Sequence, residues 1–484
     1  MQVLPKISGK KLIQNIGKFS IVTVFSALLS LMVIPLISRV FSVEEFGKIN
    51  MFITVGNMMM SVALLGMDNA VVRFFHEPLK GTNKKSILFF SLIVGCCINA
   101  IITALIFLIN PYFISALLFG EVNFVVLIML SVYVTTLIIF RQLNTMYRME
   151  EKSREYNTQG IAQIMINRVL FVGVALFLPT YFYATLTITL GMVLLMIFYI
   201  WKQRELFIGV NPLLPTISIY KLMQYSIPLM PMALIILLNN SIGKLMLSGT
   251  GRYDEIGVLA MGISLANIFA ILPAGFGVYW SAFMYSNYKT ENQLIRNVHN
   301  YVILISILMV ILIIMTQDIL YFLLGGDYRS SQPYFMLLML GPITALISET
   351  TAYGVSIAKK SNLNLIATVV GFIFNLIICY FTIPVYGGLG AAIGVGISSV
   401  IIMILRTLIG QHYYRSIERT SKTAIGIIMI ITMCIGNLFY FDNILIRMII
   451  IIPIIFISYF IFRYELVYVY KQIFNVVNRI KLRS

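Results

Sequence analysis

Six ionisable side chains in or beside the long apolar runs of this sequence are the residues best suited to binding or proton chemistry. Four are basic and two are acidic: Arg39, Arg73, Arg168, Lys244, Asp68 and Glu349. A charge inside a membrane-spanning run costs about 2.5–3.5 kcal/mol unless it faces protein or water. We therefore expect these side chains to face an interior. There the cations would bind an anionic group, and the carboxylates would pair with them or accept protons.

Arg168 is the strongest of these candidates because it lies deep within its apolar run. A guanidinium holds a phosphate through two parallel N–H groups, which an ammonium cannot do. Arg39 and Lys244 lie near the outer ends of their runs and could instead extend to the membrane interface. Arg73 follows its run directly, so it could be a cytoplasmic residue or could pair with Asp68 about one helical turn away.

Two neighbouring amides, Asn239 and Asn240, lie in the middle of the seventh apolar run. They could bind sugar hydroxyls or join neighbouring helices, and the second role is favoured. We assign no catalytic residue, metal ligand or cofactor. The four cysteines are not read as metal ligands, because they sit inside apolar runs without partners at metal spacing. His76, His299 and His412 fall at predicted cytoplasmic span ends, where we expect them at the interface.

The elements that position these residues are apolar helices. With 60% hydrophobic and only 11% charged residues among 484, the chain lies far outside the range of soluble globular domains. About 20 apolar residues cross a hydrocarbon core that is about 30 Å thick. We predict an all-α polytopic membrane protein with about fourteen transmembrane helices, whose connections are too short to hold a soluble domain.

The distribution of Lys and Arg predicts the orientation of the chain. Of 35 such residues, six fall in predicted outer segments, Arg168 falls in mid-span, and all the others lie on the inner side. Because cytoplasmic loops of membrane proteins are enriched in Lys and Arg, both termini are predicted to be cytoplasmic. The basic segment Lys471–Arg483 is predicted to lie on the anionic inner surface of the membrane.

Two pairs of similar turns indicate an internal repeat. The turns Glu44–Gly47 and Asp254–Gly257 follow the first and seventh predicted spans, at an offset of 210 residues. The turns Leu178–Tyr181 and Ile383–Tyr386 follow the fifth and eleventh spans, at an offset of 205. Six spans per repeat give two halves of the same orientation, and transporters of this kind place their substrate site between the halves.

The repeat predicts the domain organisation. We expect a central cavity between two six-helix halves, which contain spans 1–6 and 7–12. Two extra helices and a basic cytoplasmic tail complete the chain. The predicted segments are 1–210, 211–415, 416–463 for helices 13 and 14, and 464–484 for the tail. Arg447 lies outside the repeated halves, so we expect Arg447→Ala to affect transport only mildly.

Three strings of residues carry a family resemblance. Arg39–Gly47 (R-V-F-S-V-E-E-F-G) and Gly66–Phe75 (G-M-D-N-A-V-V-R-F-F) resemble the opening of Wzx-type polysaccharide flippases of the multidrug/oligosaccharidyl-lipid/polysaccharide exporter superfamily. The string from Asn375 through Pro384 to Ala392 is similar to the eleventh and twelfth spans of the same group. The resemblance covers essentially the whole chain, although each motif is short.

This resemblance implies a function. It implies a bacterial inner-membrane protein that turns an undecaprenyl-pyrophosphate-linked oligosaccharide from the cytoplasmic to the outer leaflet and is not an enzyme. The implied partners are the lipid-linked oligosaccharide, membrane lipids, a polysaccharide polymerase and chain-length proteins, with no nucleic acid. A phosphate-loop motif for ATP hydrolysis, G-x-x-x-x-G-K-[ST], does not occur in the sequence.

Two alternatives stay open at this point. A multidrug/cation antiporter of the same superfamily would need acidic residues in its cavity, whereas four cationic candidates against two carboxylates favour an anionic substrate. A membrane polysaccharide polymerase, which is an enzyme, would need a long outer loop with catalytic residues, and the outer loops here are short.

Overall fold

The structure, a computed structural model, describes residues 21–210, 214–360 and 362–467. The described residues form helices joined by short loops, and no β-strand occurs among them. The predicted all-α class is therefore confirmed. The predicted basic segment Lys471–Arg483 lies outside the described residues.

Eighteen helices are numbered here in chain order. The first nine are α1 (Ile21–Val40), α2 (Val43–Leu64), α3 (Met67–Arg73), α4 (Lys84–Ile109), α5 (Pro111–Phe119), α6 (Phe124–Met149), α7 (Ser153–Ala175), α8 (Tyr181–Lys202) and α9 (Thr216–Gly249). The others are α10 (Tyr253–Ile268), α11 (Ile271–Asn287), α12 (Asn292–Phe322), α13 (Phe335–Thr351), α14 (Tyr353–Ile357), α15 (Asn362–Tyr386), α16 (Gly388–Tyr413), α17 (Thr420–Tyr440) and α18 (Ile444–Ile461).

The number of helices that can cross a membrane is smaller than predicted. Within the described residues, eleven helices are long and apolar enough, with α10 and α11 counted together, and the bent pair α2–α3 would make twelve. Residues 25–40 of α1 and helix α13 are apolar but shorter. The chain is thus a multi-pass membrane protein with eleven or twelve candidate spans, and the predicted count of fourteen is not confirmed.

The second predicted span is broken near its C-terminal end. Ser42 caps the start of α2 by accepting a hydrogen bond from the backbone N–H of Glu45. The helix ends where Leu65 and Gly66 both adopt left-handed backbone angles, with φ of 47° and 72°. The following helix, α3, is bent by 54° from α2 and carries Asp68 in its first turn. A broken span is typical of transporters, where the freed backbone groups line a cavity.

Internal contacts divide the chain into two compact units. The first unit contains the residues up to Ile268 together with Leu324–Tyr328 and Asn375–Ala391. The second unit contains Phe269–Leu323, Arg329–Phe374 and the residues from Ala392 onward. The division into the six-helix halves 1–210 and 211–415 stays a prediction.

The first unit is built around the crossing of α2 and α10. Gly47 and Gly257 lie at this crossing, and each leaves room for a backbone carbonyl of the other helix. A second cluster of buried apolar side chains joins α3, α4 and the start of α9, and it includes Met67, Leu88 and Leu222. These contacts hold the broken second span against its neighbours.

The second unit packs α12 against α13 and α17, and one prediction for it is wrong. His299 is buried, with Nδ1 2.8 Å from Thr350 Oγ1 and Nε2 2.9 Å from Thr423 Oγ1. We expected this histidine at the interface because we placed the start of the span there. The helix in fact starts seven residues earlier, at Asn292, so His299 reaches the interior of the unit.

Candidate functional site

A cavity of about 310 Å³ lies within the first unit. Its walls come from α1, α2 and α7, with one residue from α10. The apolar walls are interrupted by a polar set, which consists of Ser30, Asn50, Gln163, Asn167, Arg168 and Ser264. Arg168 is the charged residue among the described lining residues, and none of those residues is acidic.

Arg168 is held at the wall by one hydrogen bond to the backbone. Its Nη1 donates to the carbonyl oxygen of Ser26 in α1, at 3.1 Å. The side chain is half-buried, and no ion pair to it occurs within the described residues. A guanidinium carries five N–H donors, so most of its capacity for binding an anion remains unused by the protein.

Lys244 approaches the same cavity from α9. Its Nζ donates to Oδ1 of Asn50 at 3.4 Å, and Asn50 is a lining residue. The lysine is half-buried. Of the four predicted cations, the structure therefore places Arg168 in the cavity wall and Lys244 in contact with one lining residue, Asn50.

The other two predicted cations do not reach it. Arg39 is exposed at the end of α1, and no ion pair to it occurs in the described parts of the chain. Arg73 is also exposed, and its Nη1 lies 3.2 Å from Glu77 Oε2. The guanidinium of Arg73 also stacks on the ring of Phe74.

Asp68 pairs with a residue that the sequence analysis missed. Its Oδ2 accepts hydrogen bonds from Nε and Nη2 of Arg141 in α6, at 3.0 and 2.7 Å. Asp68 does not pair with Arg73, which the sequence analysis considered, because Arg73 pairs with Glu77 instead. Arg141 lies at a predicted inner span end, where the positive-inside pattern already explains an arginine, so the sequence carried no separate signal for it.

The two predicted amides have different surroundings. Asn239 is buried, and its backbone oxygen and Oδ1 accept from Nδ2 of Asn375 at 2.7 and 3.1 Å. This contact joins α9 to α15, as expected of a residue that links helices. Asn240 is exposed.

Glu349 lies in the second unit, on α13. Its Oε2 accepts from the hydroxyl of Tyr353 at 3.3 Å. The carboxylate occupies space next to Gly277, where a Cβ would approach it to 2.9 Å. Glu349 therefore has a packed environment of its own and is not among the lining residues of the cavity in the first unit.

A family model covers all the described lining residues of this cavity except Ser264. Residues 12–250, just under half of the chain, match the model for polysaccharide biosynthesis proteins. No curated protein sequence matches the chain.

Solved structures share the fold over most of the chain. The lipid II flippase MurJ in an inward closed conformation matches with a TM-score of 0.70 at 15% identity, over 93% of this chain and 99% of that one. A MATE in complex with MaL6 matches with a TM-score of 0.53 at 15% identity, over 84% and 98%. An inward-facing multidrug resistance MATE family transporter of the MOP superfamily matches with a TM-score of 0.50 at 16% identity, over 83% and 97%.

At these identities the likeness to solved structures shows the fold and not the substrate. The family and the structural neighbours are transporters and flippases, which agrees with the superfamily resemblance of the sequence, whereas a Wzx-type flippase specifically is not confirmed. The chain is therefore a multi-pass membrane protein with the fold of the multidrug/oligosaccharidyl-lipid/polysaccharide exporter superfamily, and its N-terminal half matches the polysaccharide biosynthesis protein family.

Proposed function

We propose that this chain is a Wzx-type flippase. Its substrate would be an undecaprenyl-pyrophosphate-linked oligosaccharide, which it would turn from the inner to the outer leaflet of the bacterial cytoplasmic membrane for surface polysaccharide synthesis. A pyrophosphate cannot cross hydrocarbon without a substitute for its hydration shell. The protein would supply that substitute from cationic and polar side chains in an interior cavity.

The observation that carries this proposal is the unpaired guanidinium of Arg168 at the wall of the cavity. It stands among amides and hydroxyls, with the ammonium of Lys244 next to Asn50, and without an acidic residue among the described lining residues. An arginine in such surroundings favours a phosphate or another anion. The match to polysaccharide biosynthesis proteins agrees with a sugar-bearing anion.

The same cavity argues against a cation antiporter. Such a transporter needs a carboxylate where its substrate binds, but Asp68 is paired with Arg141 and Glu349 lies in the second unit. Two further features of the proposal come from the sequence pattern: both termini in the cytoplasm and two six-helix halves. Cooperation with a polysaccharide polymerase and chain-length proteins is what the family resemblance implies.

A flipping assay in liposomes tests the proposal. The probe is undecaprenyl pyrophosphate that carries one fluorescently labelled N-acetylglucosamine, and a membrane-impermeant quencher reports the fraction in the outer leaflet. We expect the parent protein to flip the probe, Arg168→Ala to be inactive, and Lys202→Ala to match the parent, because Lys202 is exposed at the end of α8. Export of a cationic dye from the same liposomes without flipping of the probe would favour the antiporter instead.

A further inference from the structure

Helix α7 is not a regular α-helix where it carries Arg168. Residues Ile166–Leu170 form a π-helical turn between two α-helical parts, Ser153–Met165 and Phe171–Ala175. A π turn closes hydrogen bonds from i to i+5, which inserts one extra residue into the helix. Such turns recur at functional sites.

The extra residue changes the direction in which Arg168 points. In a regular α-helix, a residue five positions after Gln163 would lie about 140° around the axis from it, since each residue turns the chain by about 100°. The inserted residue turns the following positions back, by up to about 100° once the turn is complete. Arg168 is thereby moved toward the face of Gln163 and Asn167, which line the cavity with it.

A glycine on the neighbouring helix makes room for the wider turn. Gly191 in α8 is buried, and a Cβ built on it would come within 2.9 Å of Ile166 Cγ2 and 3.1 Å of Leu170 Cδ2. These two side chains are the first and last residues of the π turn. Neither they nor Gly191 belongs to the described cavity lining.

We propose that Gly191 is a positioning residue: by seating Ile166 and Leu170 it keeps α7 in the π-helical register that directs the Arg168 guanidinium into the cavity. This inference rests on the proposed function, since it assigns how the anion-binding side chain is held. A side chain at residue 191 would clash with both ends of the π turn and favour regular α-helical hydrogen bonding. Arg168 would then point away from Gln163 and Asn167.

The test measures binding of farnesyl pyrophosphate, a short isoprenoid pyrophosphate, to the purified full chain. We expect Gly191→Val to weaken binding by at least about tenfold, the loss expected when one charge-assisted contact to the ligand is removed. The matched control is Gly173→Val on α7 itself, because a Cβ there would meet nothing within 4 Å. Removing the clash with Gly191→Val/Ile166→Ala should restore binding. Thermal unfolding of each variant is measured alongside, so that a loss of folding is distinguished from a loss of binding in folded protein.

The outcomes separate the two proposals. If Arg168→Ala binds the probe like the parent, the proposed function is wrong. If Arg168→Ala weakens binding but Gly191→Val does not, or the added Ile166→Ala does not restore it, Gly191 is not a positioning residue. Should Gly191→Val fail to fold, deletion of Val169 decides, since it removes the inserted residue directly: weakened binding supports the proposal and unchanged binding overturns it.

Discussion

Gly47 and Gly257 lie against each other where α2 crosses α10, and their contacts mirror one another. A Cβ on Gly47 would clash with the carbonyl oxygen of Tyr253, and a Cβ on Gly257 would clash with that of Val43. Each residue in this set has its counterpart 210 residues away, the same offset as between the turns that indicated the repeat. The crossing is therefore an approximate two-fold contact between segments that the predicted repeat pairs with each other.

A side chain at this crossing should be costly. Gly47→Ala and Gly257→Ala would each place a methyl group against a backbone carbonyl, which cannot swing aside as a flexible side chain can. We expect each to lower the free energy of unfolding by about 1–3 kcal/mol, as overpacking does. Thermal unfolding of the purified protein measures this, with Gly249→Ala as the control because a Cβ there meets nothing within 4 Å. Equal stability of all three variants would contradict the close crossing.

A second repeated contact shows why part of the fold was readable from the sequence. Glu45 accepts a hydrogen bond from the backbone N–H of Tyr181 at the start of α8, and Glu255 accepts one from Gly388 at the start of α16. The strings Glu44–Gly47 and Asp254–Gly257, which we predicted to be turns, are helical in the structure, in the first turns of α2 and α10. Their glutamates cap matched helix starts. The long apolar runs also predicted helices. A helix that crosses a membrane needs a minimum number of apolar residues, and runs of that length are visible in the sequence.

Other features had no signal in a single sequence. The break after α2 depends on Leu65 in a left-handed conformation, which its residue type does not suggest. The Asp68–Arg141 pair joins helices that are distant along the chain. The π turn at Arg168 depends on Gly191 in the neighbouring helix. Each is set by tertiary packing, whereas periodicity and composition report only on local structure.

The mild effect of losing Arg447 on transport stays a prediction, but the structure predicts a separate cost in stability. Its side chain is only 3% exposed, pairs with Asp318, and donates from Nη1 to the carbonyl of Ile314 at 2.8 Å. Removing the carboxylate would leave a buried guanidinium without its ion pair, so Asp318→Asn should cost about 1–3 kcal/mol of unfolding free energy. The cost is lower than for a fully buried pair because the Asp318 side chain is 44% exposed. Arg447→Met should cost less, because an apolar side chain of similar size leaves only the partly exposed Asp318 behind.

The double variant sharpens this prediction. Asp318→Asn/Arg447→Met should recover most of the stability that Asp318→Asn alone loses, because no buried charge remains. Chemical denaturation of the three variants in the same detergent gives the comparison. Additive losses in the double variant would show that the two charges do not depend on each other.

A cluster on the predicted cytoplasmic side, formed by Glu150, Lys152 and Lys84, indicates a pH dependence of stability. Burial raises the pKa of Glu150, but hydrogen bonds from Lys152 and Lys84 outweigh it, so the pKa lies below its usual 4.5. A carboxyl group with a lowered folded-state pKa contributes stability above its unfolded value and loses it as the pH falls further. We expect the thermal midpoint to drop below about pH 4.5, and Glu150→Gln to remove part of that drop. A pH profile of Glu150→Gln identical to that of the parent would exclude this contribution.

The predicted orientation can be tested by labelling single introduced cysteines in intact cells with a membrane-impermeant reagent. Cysteines at Arg154 and Lys360 should be protected, and cysteines at Glu121 and Ser330 should react; Ser330 is exposed and stands in for Tyr328, which is buried. The reason is the excess of Lys and Arg on the predicted inner side. The parent protein is the background control, since its exposed Cys97 lies within α4, a candidate membrane span. A protected cysteine at the exposed Ser330 would contradict the orientation.

The most direct test of an anion-binding cavity is the affinity of the purified full chain for undecaprenyl pyrophosphate, measured at fixed ionic strength. We predict that Arg168→Ala weakens binding at least about tenfold. Arg168→Lys should keep part of the affinity, because the charge remains but the two parallel N–H donors are lost. Lys202→Ala should bind like the parent. Arg168→Ala with the affinity of the parent, in protein of equal thermal stability, would contradict the proposal that Arg168 holds the substrate.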